Sequence, residues 1–227
     1  NPARRQEIRQ RHPDTRVFTN LVEITEWAEI SYICTPDHLH VEPALAALAA
    51  GNTVLCEKPV TTSLKDAYTL LSAREKNNNS FFAGNNLRLT PTFNTVWEFV
   101  RRGDLGVLGS IWTSYVHDMR EYHQKTPWRD SQDYLYGGGI HALDLAYWIA
   151  GEKPSQVIAT TGRKLITSYQ RPEDYHILTT YESGLVAATW ANANARMQIH
   201  NMDLKVYGET GTLITDNRSG IIQFHQV

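Results

Sequence analysis

Two residues near the middle of the chain combine the side chains that proton transfer requires. His141 and Asp144 are three residues apart near the start of a predicted helix, so both lie on one helix face. Histidine exchanges protons near neutral pH, and a carboxylate on the same face could orient it or stabilise its charged form. The same spacing also fits a packed histidine beside an aspartate that interacts with the helix dipole. The spacing of this pair leaves both interpretations open.

A lysine directly follows a predicted buried strand. Residues 53–56 are apolar, and Glu57-Lys58-Pro59 come next. Ligands of open parallel sheets bind beyond the carboxyl ends of the strands, which makes Lys58 a candidate functional residue. A loop lysine without a role fits the pattern equally. Two other strand ends also carry polar side chains, at residues 35–38 and 85–88.

Strands and helices alternate in the first half of the sequence. Predicted strands cover 30–34, 53–56 and 80–83, and the helices between and after them end near residues 51, 77 and 103. Such repeated units imply a parallel sheet that is covered on both faces. We therefore predict an α/β domain at residues 1–106, a partial Rossmann-type parallel sheet.

The pattern changes after Gly109. Residues 111–118 alternate like a half-exposed strand, and a single helix is predicted at about 140–150. Strands follow near 155–163, 175–182, 185–192, 203–208, 212–216 and 221–225, several of them joined by short turns. We predict an α+β domain at residues 107–227 with a large, mostly antiparallel sheet.

Two weaker patterns are not assigned a function. Residues 137–142 fit the nucleotide-binding spacing G-x-G-x-x-G/A, but no convincing strand precedes them and no acidic residue ends a strand about 20 residues later. His38 and His40 could form half of a metal site, but no cysteine or acidic partner stands at ligand spacing, so no metal is predicted. Since no other segment supplies the fingerprint, we expect one more strand, glycine turn, helix and strand before Asn1.

Composition excludes several classes of protein. Of 227 residues, 41% are hydrophobic and 20% charged, and the net charge of -2 gives no footprint for nucleic acid or a membrane surface. The arginines of residues 4–11 are predicted to lie on a solvated helix face. The two cysteines, Cys34 and Cys56, are expected to be buried free thiols in a reducing compartment. The longest alanine and leucine run, 44–50, is too short to span a membrane, and no signal peptide opens the sequence, so we expect a cytoplasmic protein.

From about Val17 onward, the motifs and their order resemble the Gfo/Idh/MocA family (glucose-fructose oxidoreductase, inositol dehydrogenase and relatives). The family pattern A-T-P-x-x-x-H corresponds to residues 34–40, and the helix and strand of 44–56 lead into the hallmark Glu57-Lys58-Pro59. The later motifs are N-x-R-x-x-P, a Trp-Arg pair, a glycine run and H-x-x-D-L, at Asn86, Arg88 and Pro91, at Trp128-Arg129, at 137–139 and at 141–145.

This resemblance implies an oxidoreductase that uses NAD or NADP to act on a hydroxyl carbon of a sugar, inositol or related polyol. It also implies a C-terminal substrate and oligomerisation domain whose sheet forms a homodimer or homotetramer. The implied catalytic residues are Lys58, His141 and Asp144. Cofactor contacts are expected from Thr35, Pro36, His38, His40, Glu57, Lys58 and Asn86, and substrate contacts from Arg88, Trp128, Arg129 and His141.

The sequence departs from the family at one site position. Many members carry an aspartate four residues before the histidine, where this chain has Gly137, so Asp144 is expected to support His141 instead. The chain also stops before the family's final helices. Two alternatives stay open: a non-catalytic binding or assembly module, and an NAD-recycling glycosidase that oxidises its substrate transiently. The presence together of Lys58, Arg88, His141 and Asp144 favours the dehydrogenase.

Overall fold

The computed structural model describes residues 2–120, 126, 128–129, 132–166, 169–197 and 201–226. The chain divides into two compact units, Asn1–Gly84 and Asn85–Val227. Within the described residues, no helix combines the length and the apolar character that crossing a membrane requires.

The first unit is a three-stranded parallel sheet with its connecting helices. Its elements are α1 (Pro2–Arg11), α2 (Leu21–Trp27), β1 (Ile30–Ile33), a 3₁₀ turn (Asp37–Leu39), α3 (Val41–Ala49), β2 (Thr53–Cys56), α4 (Leu64–Asn77) and β3 (Phe81–Ala83). The strands are ordered β1-β2-β3, and both pairs are parallel. This arrangement confirms the predicted partial Rossmann-type sheet, whereas α2 was not predicted.

Local signals explain where these helices begin and end. The Ser63 hydroxyl accepts a hydrogen bond from the Asp66 N–H at 3.2 Å and so caps the start of α4. Asn78 ends that helix in the left-handed conformation with φ 52°. Helix α1 has no buried residue, which confirms the predicted solvated face.

Helices α3 and α4 cover only one face of the sheet. Leu48 and Leu70 from the helices pack in one cluster with Ile33, Val54 and Cys56 from the strands. On the other face, Ile30, Tyr32 and Phe82 are exposed. The prediction of a sheet covered on both faces is therefore wrong for the described residues, because both crossover helices lie on the same side. Cys34, which directly follows β1, is also exposed, so the expectation that both cysteines are buried holds only for Cys56.

The second unit is built on a seven-stranded sheet. Its elements are a 3₁₀ turn (Asn86–Leu89), α5 (Pro91–Arg102), β4 (Leu108–Val116), a π-helical turn (Leu135–Gly139), α6 (Ile140–Ala150), β5 (Pro154–Thr161), β6 (Asp174–Tyr181), β7 (Val186–Asn192), β8 (Asn201–Gly208), β9 (Gly211–Asp216) and β10 (Ile222–Gln226). The order is β10-β9-β8-β4-β7-β6-β5, and only β4 and β7 are parallel. The mostly antiparallel sheet is confirmed.

Helices α5 and α6 pack on one face of this sheet. Phe93 of α5 and Leu145 of α6 belong to the same buried cluster as Ile111 and Leu204 of the strands. Helix α5 therefore belongs with the second unit, and the two units divide at residue 84 instead of the expected 106. The sequence-based prediction assigned α5 to the same domain as the strands before it, because helix periodicity does not reveal which sheet a helix packs against.

Candidate functional site

In the first unit, His40 connects the loops that follow β1 and β2. Its ring Nδ1 lies 2.8 Å from the carbonyl oxygen of Pro59, and Nε2 lies 2.7 Å from that of Thr35. The side chain is 1% exposed. Because both ring nitrogens face backbone oxygens, neither is presented to a metal ion. This geometry favours a supporting role beneath the two loops over the predicted cofactor contact.

Glu57, like His40, contacts neighbouring parts of the first unit and supports their arrangement. The Tyr32 hydroxyl donates a hydrogen bond to the Glu57 carboxylate, and this bond raises the pKa of Tyr32. A Cβ atom at Gly84 would lie 3.1 Å from Glu57 Cα and 3.2 Å from Oε2, so glycine is needed for the chain to pass this close. Glu57 thus links the ends of all three strands, and cofactor binding by its carboxylate stays a prediction.

The remaining predicted residues of the first unit lie at its strand ends. Thr35 and His38 are exposed, while Pro36 and Lys58 are half-buried. The Thr35 hydroxyl donates to the carbonyl of Leu39 at 3.0 Å, which stabilises the 3₁₀ turn. Lys58 is the second residue after β2, at the strand end where the sequence predicts it, and its peptide bond to Pro59 is cis.

In the second unit, Asp144 forms an ion pair with Arg88. Arg88 Nε and Nη2 donate to the two carboxylate oxygens at 2.9 and 2.5 Å, and Asn85 Nδ2 donates to Oδ1 at 2.8 Å. These bonds raise the pKa of Arg88. Both oxygens of Asp144 are engaged, so its main role in this unit is to hold Arg88 and Asn85. The expectation that Asp144 chiefly supports His141 therefore needs revision.

The glycine run forms a close packing contact. The helix begins at Tyr134, and its π-helical turn continues directly into α6, so Asp144 is not a first-turn residue as one interpretation required. A Cβ atom at Gly138 would lie 2.6 Å from the ring of Tyr134 and 2.8 Å from that of Tyr115. The glycines therefore admit aromatic rings and do not form a phosphate-binding turn after a strand.

His141 packs against the ring of Tyr115. The two ring centroids are 5.1 Å apart with planes inclined by 31°, and His117 approaches the same tyrosine edge-on at 6.3 Å. Helix α6 is fixed on β4 by the Thr113 hydroxyl, which donates to the carbonyl of Ala142 at 3.1 Å. His141, Tyr115 and His117 are all half-buried. This aromatic group is the part of the candidate site that the sequence analysis missed.

Tyrosines also hold the segment that precedes the glycine run. The Tyr175 hydroxyl donates to Asp133 Oδ1 at 2.6 Å, and the Tyr169 hydroxyl donates to the Gln132 carbonyl at 2.7 Å. Burial raises the pKa of Tyr134, whose hydroxyl has no hydrogen-bond partner among the described residues. The backbone that leads to His141 is thus anchored on β6 and on the segment that precedes it.

Asn86, Trp128 and Arg129 are the other residues of the second unit that were predicted to contact a ligand. The guanidinium of Arg129 lies over the ring of Trp128 at 4.7 Å, so these two side chains stack on each other. Asn86 is exposed at the start of its 3₁₀ turn, and its neighbour Asn85 makes the contact to Asp144. Cofactor and substrate contacts by Asn86, Trp128 and Arg129 stay predictions.

The second unit therefore offers a half-buried imidazole that packs on an aromatic ring, and, three residues further along α6, an aspartate paired with an arginine. Imidazole is suited to accept a proton near neutral pH, and aromatic packing restricts its rotation. Only two of the five N–H donors of Arg88 are engaged by Asp144, so the guanidinium can also donate to a small polar ligand. This chemistry fits proton transfer from a hydroxyl group.

Comparison with known proteins defines the class. Residues 1–85 match the model of an oxidoreductase family with an NAD-binding Rossmann fold, and residues 93–214 match the Gfo/Idh/MocA C-terminal domain. The chain belongs to the Gfo/Idh/MocA family of oxidoreductases.

Relatives and solved structures agree with this assignment. The scyllo-inositol 2-dehydrogenase (NADP(+)) of Bacillus subtilis is 26% identical over 211 residues, covering 88% of this chain and 58% of that protein. A levoglucosan dehydrogenase in complex with NADH and levoglucosan superposes with a TM-score of 0.89 at 21% identity, over 100% of this chain and 65% of that one. An inositol dehydrogenase homologue from Azotobacter vinelandii, in complex with NADH and myo-inositol, superposes with a TM-score of 0.85 at 19% identity. The superposition covers 100% of this chain and 65% of that one. The chain spans 41% to 62% of the length of the curated relatives it matches.

Because residues 1–85 match an NAD-binding family, the cofactor is a nicotinamide dinucleotide. The residues at the strand ends of the first unit fit part of a binding site for it. Its strand ends present a threonine, a histidine and a lysine where a parallel sheet binds ligands. Its two glycines are Gly51, which follows α3, and Gly84, which follows β3, so within residues 1–84 neither forms a strand-to-helix turn for a pyrophosphate. Contact of these strand ends with the cofactor stays a prediction.

Proposed function

We propose that this chain is part of a NAD(P)-dependent dehydrogenase that oxidises a hydroxyl carbon of a sugar, an inositol or a related small polyol. The observation that carries the proposal is the half-buried His141, packed on Tyr115 in a chain of this oxidoreductase family. Relatives named for inositol and levoglucosan support the substrate class.

Each candidate residue has a distinct role in the proposed reaction. His141 accepts the proton of the substrate hydroxyl, and Arg88, held by Asp144, donates hydrogen bonds to a neighbouring hydroxyl. Lys58 stabilises negative charge as it develops on the substrate oxygen. The bound nicotinamide supplies the hydride acceptor. Thr35, Pro36, His38 and Asn86 are proposed to contact the cofactor, and Trp128 and Arg129 the substrate.

Two substitutions in the full-length protein that contains this chain test the roles. Lys58→Met should lower kcat about 10²–10³-fold on the best substrate of a polyol panel, because one preorganised charge at the reacting oxygen is lost. His141→Ala should lower kcat and flatten the acidic limb of the pH profile. The Kd for NADH, measured by fluorescence titration, should change little. Arginine should not rescue position 58, because its planar fork does not replace a compact ammonium group.

The exposed residues Lys65 and His12 provide matched controls. Lys65→Met and His12→Ala should leave kcat and KM unchanged. Near-normal turnover by both Lys58→Met and His141→Ala would contradict the dehydrogenase site and favour a binding or assembly module. A product that has lost a glycosidic group without net reduction of cofactor would instead favour the NAD-recycling glycosidase.

We also propose that copies of the protein associate through the outer face of the large sheet, as a homodimer or homotetramer. This face, opposite α5 and α6, contains a hollow of about 410 Å³ lined by residues that include Trp112, Ile158, His176, Leu178 and Trp190. Ile158 and Leu178 are large apolar side chains exposed to solvent. Sedimentation velocity is the measurement that tests this association.

A further inference from the structure

Tyr115 occupies a fixed position between two histidines. It lies on β4, the central strand of the seven-stranded sheet, and its ring contacts both His141 of α6 and His117 at the end of its own strand. Residues 113, 115 and 117 lie on one side of the strand, because strand side chains alternate. The Thr113 contact to Ala142 shows that this side faces α6.

Several contacts prevent the Tyr115 ring from moving. The ring of Tyr134, which is 2% exposed, packs against it with centroids 6.2 Å apart. The backbone at Gly138 lies so close that an added Cβ atom would be 2.8 Å from the Tyr115 ring. These contacts restrict the orientation of the half-buried Tyr115 ring, and a side chain that packs on the ring is restricted in turn.

We propose that Tyr115 is a positioning residue that holds the His141 imidazole in the orientation needed for proton transfer. This inference rests on the proposed function only in giving His141 the role of proton acceptor. The contact is made by the face of an aromatic ring, so the phenol hydroxyl is not required. Removal of the ring would let the imidazole rotate, and a misplaced base transfers protons poorly even when substrate still binds.

The test compares Tyr115→Phe with Tyr115→Leu in the full-length protein. We expect kcat to fall about 10-fold to 100-fold in Tyr115→Leu with little change in KM, and to stay within about twofold of normal in Tyr115→Phe. NMR gives a second readout that does not depend on turnover. The ring current of Tyr115 shifts the His141 ring protons, assigned with His141→Gln, and that shift should persist with phenylalanine and disappear with leucine.

Control variants separate positioning from general destabilisation. Tyr181→Leu removes a buried tyrosine from a different part of the core, so it should lower Tm without changing the His141 resonances or kcat. If Tyr115→Leu does not fold, Tyr115→Met is used in its place, because methionine fills irregular spaces. We expect the same decrease of kcat and the same loss of the ring-current shift in this variant.

Two results would overturn the proposal. One is a normal kcat with unchanged His141 resonances in Tyr115→Leu. The other is an equal decrease of kcat in Tyr115→Phe and Tyr115→Leu, which would show that the hydroxyl of Tyr115, and not its ring, supports turnover. Normal turnover in His141→Ala, together with the expected NMR shifts, would instead refute the proposed function and leave the packing role of Tyr115 intact.

Discussion

Asp144 illustrates how a site residue can be recognised from sequence and yet be given the wrong partner. Its position three residues after His141 suggested a role towards that histidine, but its carboxylate oxygens accept from Arg88 and Asn85. These partners are 56 and 59 residues away, so no local spacing could reveal them. The consequence is that Asp144 holds Arg88 and Asn85, a role that its spacing from His141 does not indicate.

A double-mutant cycle measures this pair. Asp144→Asn and Arg88→Gln should each lower the free energy of unfolding, and the coupling between them should be about 1–2 kcal/mol. We place the value at this modest level because the Arg88 side chain is 36% exposed and partly screened by solvent. Urea unfolding of the four proteins provides the free energies.

The exposed pair of Arg102 and Asp104 is the matched control. Its coupling, measured by the same cycle with Arg102→Gln and Asp104→Asn, should be below about 1 kcal/mol. Equal couplings for the two pairs would show that burial of Asp144 adds nothing to its bond with Arg88.

Element by element, the sequence predicted the strands and helices well. Lys58 follows β2 and His141 lies on α6, as expected from apolar runs and helix periodicity. The glycine run was harder, because glycine lowers helix propensity and masks the continuation of a helix through residues 135–139. The sequence could not predict the group of His141, Tyr115 and His117. The alternation of buried and exposed residues along β4 does not indicate which helix covers that strand.

The glycines of this turn should differ sharply in their tolerance of a side chain. Gly138→Ala places a methyl group against two enclosed rings, so it should lower the free energy of unfolding by about 1–3 kcal/mol. At Gly137, the nearest atoms belong to the flexible Gln132 side chain, 3.0–3.4 Å from the added carbon. Gly137→Ala should therefore be neutral, or stabilising by up to about 1 kcal/mol, because alanine favours the helix.

Thermal unfolding followed by circular dichroism distinguishes the two glycine variants. A Tm for Gly138→Ala at or above that of the unmodified protein would mean that the rings of Tyr115 and Tyr134 move aside easily. That result would also weaken the argument that they fix His141.

For the whole molecule, the most informative surface is the outer face of the large sheet. If copies associate there, Leu178→Glu should shift the sedimentation coefficient towards the monomer, because a charge replaces an apolar side chain that is 49% exposed in the isolated chain. Val107→Glu, at an exposed apolar residue outside this hollow, should leave the assembly unchanged. A monomeric unmodified protein, or an unchanged assembly in Leu178→Glu, would refute the interface.

The central position of β4 determines when the second unit can form during synthesis. Its neighbours are β7 and β8, and the paired residues Thr113 and Thr189 are 76 positions apart, while Ser114 and Asp203 are 89 apart. A nascent chain therefore exposes β4 with neither edge paired until β7 has left the ribosome, and with one edge still unpaired until β8 follows. Contacts of such long range make folding slow, and an apolar strand that waits unpaired can associate with other chains. The three described strands of the first unit end at Ala83, so they can pair with one another well before that point.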